Sequence, residues 1–323
     1  MIIGCMRECT PAERERIGRV LEKSDELYFF RDDTALQYSM VRDDIEVLMG
    51  EPSLELLREM KGLKWLQMTW AGVDKYTGAN NFPENVLLTN ASGAFGKIIA
   101  EYILAGISGM YRKFPEYHAQ MRAGGWRAVS GERTLEGRTA LILGMGDIGC
   151  ETARKLKAFD VRVWGIRRTA REKPVYFDAM YIMDQLDELL PQVDIVIACL
   201  PGTDLTRGLL TKERLLKMKK DAFLVNVGRG SLMQMQDLTE VLEQGHLSGV
   251  LMDVAEREPL PAEHPLRQMD RVMLTPHIAG ISWGDISETR EKILDIFCDN
   301  LCRFRKGERL ANLVDLQQGY RKT

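Results

Sequence analysis

The sequence predicts an α/β protein built as two doubly wound parallel domains. Short apolar runs of strand length alternate with amphipathic helical segments along most of the chain, a rhythm that requires parallel crossovers. The rhythm stops once, at a long helical stretch from about Ile98 to Arg122, and then restarts, which separates two blocks. The 323 residues are long for one core and sufficient for two.

In the first block Ile2-Ile3 opens a strand, Ala12 to Glu22 reads as a charged helix, and Leu27 to Phe30 and Ile45 to Met49 are strands. Ser53 is placed to cap a helix through Leu56, Leu57 and Met60, because a short hydroxyl side chain satisfies first-turn N–H groups. Leu63 to Met68 and Val86 to Thr89 complete the block. After the long helix come strands at Thr139 to Leu143, Val161 to Ile166, Ile195 to Cys199, Phe223 to Val227, Val250 to Asp253 and Val272 to Leu274. Helices fall between them at Asp184 to Leu190, Lys212 to Met218 and Met235 to Gln244, and a last helix spans about Ser287 to Arg305.

The formal charge of −3 provides no basic field for nucleic acid. No apolar run reaches the roughly 18 residues of a membrane span, and the N-terminus has no secretory pattern, so a cytoplasmic protein is expected. Cysteines 5, 9, 150, 199, 298 and 302 are scattered without metal-ligand spacing, so reduced thiols are expected.

Leu141-Ile142-Leu143-Gly144-Met145-Gly146-Asp147-Ile148-Gly149 is an apolar strand running into G-x-G-x-x-G at the start of a helix. Gly144 serves the tight turn, Gly146 lets backbone approach a pyrophosphate, and Gly149 lets helix and strand pack closely. The helix start, including Asp147 and Ile148, then presents N–H groups to phosphate. The next strand ends in Arg167-Arg168-Thr169, where dinucleotide sites ordinarily place a carboxylate against the ribose hydroxyls. Two guanidiniums suit a 2′-phosphate, which favours NADP(H), with NAD(H) as the alternative.

With these motifs stand Thr89-Asn90-Ala91-Ser92-Gly93, Ala100-Glu101-Tyr102, Leu200-Pro201 through Leu210, Asn226-Val227-Gly228-Arg229-Gly230, Met252-Asp253-Val254 through Leu260, and Thr275-Pro276-His277. In that order they resemble the D-isomer-specific 2-hydroxyacid dehydrogenases, over nearly the whole chain. The resemblance implies a Rossmann cofactor domain at 98–289 and a discontinuous, flavodoxin-like substrate domain from 1–97 and 290–323. It implies hydride transfer between NAD(P)H and a small 2-keto acid or D-2-hydroxy acid, of the glyoxylate or hydroxypyruvate type, in the cleft between domains.

Arg229, Glu258 and His277 are the catalytic residues this resemblance implies. Arg229 would hold carboxylate and carbonyl oxygens in a fixed guanidinium fork. His277 would exchange the proton, since imidazole titrates near neutrality, and Glu258 would orient it. His118, His246 and His264 are expected to have no chemical role. Gly72 and Val73 would bind the substrate carboxylate through backbone N–H groups, and Trp283 would cap the pocket or else pack between domains, a question Trp70 shares. Leu200, Pro201, Thr203, Val227 and Gly228 would line the cofactor, and Asp253 would accept from the nicotinamide carboxamide. No metal is implied.

Glutamate at 258 argues against formate, where relatives carry glutamine, and Ala71 stands where phosphite oxidation would call for lysine. The family resemblance implies a homodimer, with the segment from Met110 to Trp126 as the candidate arm. The rival from another class is a nucleotide-sensing, corepressor-like binding protein of the same fold.

Overall fold

The computed structural model describes residues 1–77, 82–169, 172–280 and 286–321. They form two compact units, Met1–Phe95 with Ile281–Thr323, and Gly96–Gly280.

In the first unit β1 (Ile2–Cys5) leads to α1 (Pro11–Gly18), β2 (Glu26–Phe29), α2 (Asp33–Gln37), β3 (Ile45–Met49), α3 (Leu54–Glu59), β4 (Trp65–Gln67) and β5 (Leu87–Thr89). The strands are parallel in the order β2-β1-β3-β4-β5, the doubly wound arrangement of flavodoxin-like sheets. Helix α1 starts where Thr10 and Glu13 cap each other reciprocally, with Pro11 supplying a preset φ in the first turn. Ser53 caps α3, its hydroxyl accepting from Leu56 N.

The second unit begins with α4 (Gly96–Tyr111) and α5 (Phe114–Arg122). It continues through β6 (Thr139–Leu143), α6 (Asp147–Lys157), β7 (Arg162–Arg167), β8 (Ala179–Ile182), α7 (Leu186–Leu189), β9 (Ile195–Ala198), α8 (Lys212–Lys217), β10 (Phe223–Asn226), α9 (Met235–Glu243), β11 (Gly249–Met252) and β12 (Val272–Leu274). Its seven strands lie in the order β12-β11-β10-β9-β6-β7-β8. That is the Rossmann order with an extra strand at one edge, and its direction reverses between β6 and β9. Strands β6, β9, β10 and β11 are buried throughout, as a parallel sheet covered on both faces requires.

Helix α10 (Ser287–Arg305) returns to the first unit. Its Phe297 and Phe304 lie 5.6 and 5.5 Å from the buried Trp65 ring, and Arg290 forks onto Glu13 of α1 at 2.8 and 2.6 Å.

Three local readings change. The single helix expected from Ile98 to Arg122 is two helices, because Lys113 adopts φ 58 and Pro115, in the first turn of α5, cannot donate to a continuing ladder. Helix α1 ends at Gly18 rather than Glu22. Strand β8 is a short apolar run, Ala179–Ile182, half-exposed at the sheet edge, and helix α2 lacks an apolar pattern because it buries only Leu36.

Candidate active site

The loops that follow β6, β9, β10, β11 and β12 all leave the C-terminal edge of the seven-stranded sheet, where open α/β sheets bind ligands. At the reversal point Gly144 has φ 101, and a Cβ there would stand 2.8 Å from the Cys199 carbonyl oxygen. A Cβ on Gly149 would stand 2.0 Å from Gly144 O, so only glycine lets α6 pack this close. Gly146 differs: it is the N-cap of α6, and a Cβ there would meet nothing within 4 Å. The turn therefore holds an open space in front of first-turn N–H groups that helix geometry leaves without an intrahelical acceptor. This cradle fits a dinucleotide pyrophosphate. Within it Asp147 turns its carboxylate to Gly96 N at 2.8 Å, so what Asp147 offers a phosphate is backbone, with Ile148 beside it.

Arg167 ends β7 half-buried and Arg168 follows it exposed. The Cys150 thiol on α6 is pushed up by burial and by Asp147, against the opposing charge of Arg167. The described residues 167–169 contain no carboxylate.

After β9, Leu200 and Pro201 lead into a turn where the Thr206 hydroxyl donates to Pro201 O at 2.6 Å and accepts from Thr203 N at 3.0 Å. A Cβ on Gly228 would lie 2.6 Å from Leu200 O, so the β9 and β10 loops touch through backbone, with Val227 buried between strand and turn. Asn226 folds the Arg229 turn: its Oδ1 accepts from Gly228 N at 3.1 Å and its Nδ2 donates to Arg229 O at 3.0 Å. Sequence reasoning gave Asn226 no role, although its place at a strand end before Gly228 was the available signal. The Arg229 guanidinium, half-buried, donates to Gly228 O at 2.8 Å.

Glu258 accepts from Ala255 N through Oε1 at 3.0 Å, and its Oε2 lies 2.8 Å from His277 Nδ1. Both side chains remain about two-fifths exposed, so the pair is fixed in direction yet open to a ligand. His277 itself has φ 57, a left-handed conformation that residues other than glycine rarely hold. A cleft of about 490 Å³ adjoins the pair, lined by Asp253, Ala255, Glu258, Thr275 and His277 among others.

Asp253 is 2% exposed, and its carboxylate is taken by protein donors: Thr275 Oγ1 at 2.6 Å, Ile278 N at 2.7 Å and Ala279 N at 2.9 Å. The Asp253 carboxylate thus holds the His277 loop. Gly72 and Val73 lie after β4 in the five-stranded unit, next to the exposed Trp70. Trp283 lies outside the described residues. Among the described residues no group of three His, Cys, Asp or Glu side chains could hold a metal ion, and no helix is long and apolar enough to cross a membrane.

The model of the D-isomer specific 2-hydroxyacid dehydrogenase NAD-binding domain matches residues 104–279, more than half of the chain and the whole loop-bearing edge just described. The chain belongs to the D-isomer specific 2-hydroxyacid dehydrogenase family. It is an NAD(P)-dependent oxidoreductase of that family. A glyoxylate reductase from Thermofilum pendens is 30% identical over 313 residues, 94% of this chain and 85% of the relative. A family protein from Aeromonas salmonicida superposes with a TM-score of 0.87 at 30% identity, covering 98% of this chain and 99% of that one. The NADPH-dependent glyoxylate/hydroxypyruvate reductase of Sinorhizobium meliloti, solved with NADP and sulfate, gives 0.83 at 25% identity, with 99% of each chain covered. This dehydrogenase therefore shares the two-sheet architecture of its relatives along essentially its full described length.

Proposed function

We propose that this dehydrogenase reduces glyoxylate, hydroxypyruvate or a similarly small 2-keto acid, with NADPH preferred over NADH. The observation that carries the reading is the 2.8 Å contact between Glu258 and His277 Nδ1, on a loop at the ligand-binding edge of the cofactor-type sheet. Glu258 takes Nδ1, so Nε2 is the nitrogen left to deliver a proton to the carbonyl oxygen of the substrate. Arg229 supplies a guanidinium fork on the adjacent loop, suited to a 2-keto carboxylate and to the charge that builds on the carbonyl oxygen.

The nicotinamide, when bound, supplies the hydride. The chain's own part is to seat the pyrophosphate on the Gly144–Gly149 turn and to line the cofactor with Leu200, Pro201, Thr203, Val227 and Gly228. Arg167 and Arg168 support the NADPH preference, since they replace a carboxylate that would repel a 2′-phosphate. The NADP-bound relative from Sinorhizobium meliloti, described as NADPH-dependent, supports the same reading. Gly72 and Val73 are the proposed backbone contacts for the substrate carboxylate.

Phe114, Met121 and Trp126 on and after α5 are 62, 57 and 97% exposed, and we assign this apolar segment to a homodimer contact. The corepressor-like alternative gains no support from the relatives. The deciding experiment mixes purified protein with NADPH and a panel of 2-keto acids and follows loss of nicotinamide absorbance. Consumption with small acids is expected; no consumption with any acid of the panel would favour a nucleotide sensor.

A further inference from the structure

Helix α4 delivers a side chain to the His277 loop to which none of the motifs assigns a role. The Tyr102 hydroxyl lies 2.5 Å from Thr275 Oγ1, and Thr275 Oγ1 lies 2.6 Å from Asp253 Oδ1. An ionised carboxylate only accepts, so Thr275 must donate to Asp253, and Tyr102 must donate to Thr275. Burial pushes the Tyr102 phenol up to about 12, which keeps its proton in place. The direction of the whole relay is thereby fixed.

What the relay ends on is the backbone around His277. Asp253 Oδ1 accepts Ile278 N and Oδ2 accepts Ala279 N, just after the histidine, while Thr275 stands two residues before it. His277 N in turn donates to the Asp253 carbonyl oxygen at 2.8 Å. Both flanks of a residue in left-handed backbone conformation are thus tied to one buried aspartate. A left-handed L-residue persists only where its surroundings over-determine it.

We propose that Tyr102 is a positioning residue for His277, acting through Thr275 and Asp253. The relay fixes the loop on which the imidazole meets Glu258, so loss of the phenol oxygen misaligns proton delivery. This rests on the reading of His277 as the proton-transfer group.

Tyr102→Phe removes one oxygen and keeps the ring. In NADPH-dependent reduction of glyoxylate, or of the fastest acid of the panel, kcat is expected to fall about 5- to 30-fold, the scale of a small misplacement of a reacting group. KM for NADPH and for the acid should stay within about twofold, which separates positioning from general loosening of the fold. Thr275→Val breaks the same relay one step later, so the Y102F/T275V double variant should be no slower than T275V alone. Tyr111→Phe removes a buried phenol oxygen from the same helix away from the relay and should behave as the parent protein. A Y102F rate within twofold of the parent, or losses that multiply in the double variant, would overturn the proposal. If Y102F does not fold, T275S should retain rate where T275V loses it, and equal rates in those two would be equally decisive against. Parent-like turnover by His277→Asn would instead bring down the functional reading beneath it.

Discussion

Gly230 is pressed onto Ala255 so closely that a methyl group on the glycine would stand 1.8 Å from the alanine carbonyl oxygen. The turn carrying Arg229 is therefore buttressed by the loop that leads to Glu258, backbone against backbone. Gly230→Ala must drive these loops apart, at a cost of about 1–3 kcal/mol for overpacking a site whose neighbour is not a flexible side chain. A lower thermal midpoint and at least a roughly tenfold loss of kcat/KM are expected, since one substitution displaces both side chains. An unchanged midpoint in a thermal scan would contradict the contact.

His277→Ala should lower turnover by about 10²–10⁴ while nucleotide affinity, read by fluorescence titration, stays unchanged. Glu258→Gln keeps one acceptor oxygen, enough for either Ala255 N or His277 Nδ1 but not both, and loses the charge, so its rate should fall, though less than that of His277→Ala. The reverse ranking would mean that the carboxylate, not the imidazole, carries the proton.

Replacing Arg167 and Arg168 together with alanine should move the NADPH-to-NADH ratio of kcat/KM at least about tenfold toward NADH, the scale of one charge-assisted hydrogen bond to phosphate. A ratio equal to that of the parent would remove the 2′-phosphate reading.

The Glu13 carboxylate caps α1 and grips Arg290 of α10, side chains 277 positions apart. Burial alone would raise its carboxyl, but the Arg290 hydrogen bonds, the Thr10 N–H and the Arg290 charge outweigh this and hold it below the usual range. A depressed carboxyl stabilises above its unfolded value, about 4.3 for glutamate, and the contribution is lost as pH falls through the lower folded value. Glu13→Gln should therefore cost about 1–3 kcal/mol at pH 7. The gap in thermal midpoint between parent and variant should narrow as pH falls from about 5 to 3. A gap that does not change with pH would exclude the ionic part of this contact.

The sequence revealed those parts of the site whose cause is local. Gly144, Gly146 and Gly149 are legible because a tight turn, an open cradle and a close helix each demand glycine at a fixed spacing. The central strands are legible because burial on both faces makes them apolar throughout. Strand β8 was missed because a four-residue apolar run does not by itself tell a strand from a helical turn, and the α4–α5 break because a helical pattern on both sides masked what Lys113 and Pro115 do. The Tyr102 relay was beyond reach for a different reason: its hydroxyl meets Thr275 across 173 positions, and nothing in either neighbourhood announces the pairing. Asp253 likewise stands in a recognisable motif, but its three donors come from positions 275–279, which only the fold brings to it.

The return of α10 to the first unit has a consequence for the order in which the chain matures. A ribosome releases β1 to β5 before the second unit, yet the two rings that pack on Trp65 are translated after the whole of that unit. The Gly96–Gly280 unit has all of its own strands before either aromatic emerges. Domains form as they leave the exit tunnel, so the later-born half of the protein reaches its native state ahead of the earlier one. Until Phe297 and Phe304 arrive, the oldest strands wait with one apolar face uncovered, and chaperones would find their binding surface on that face.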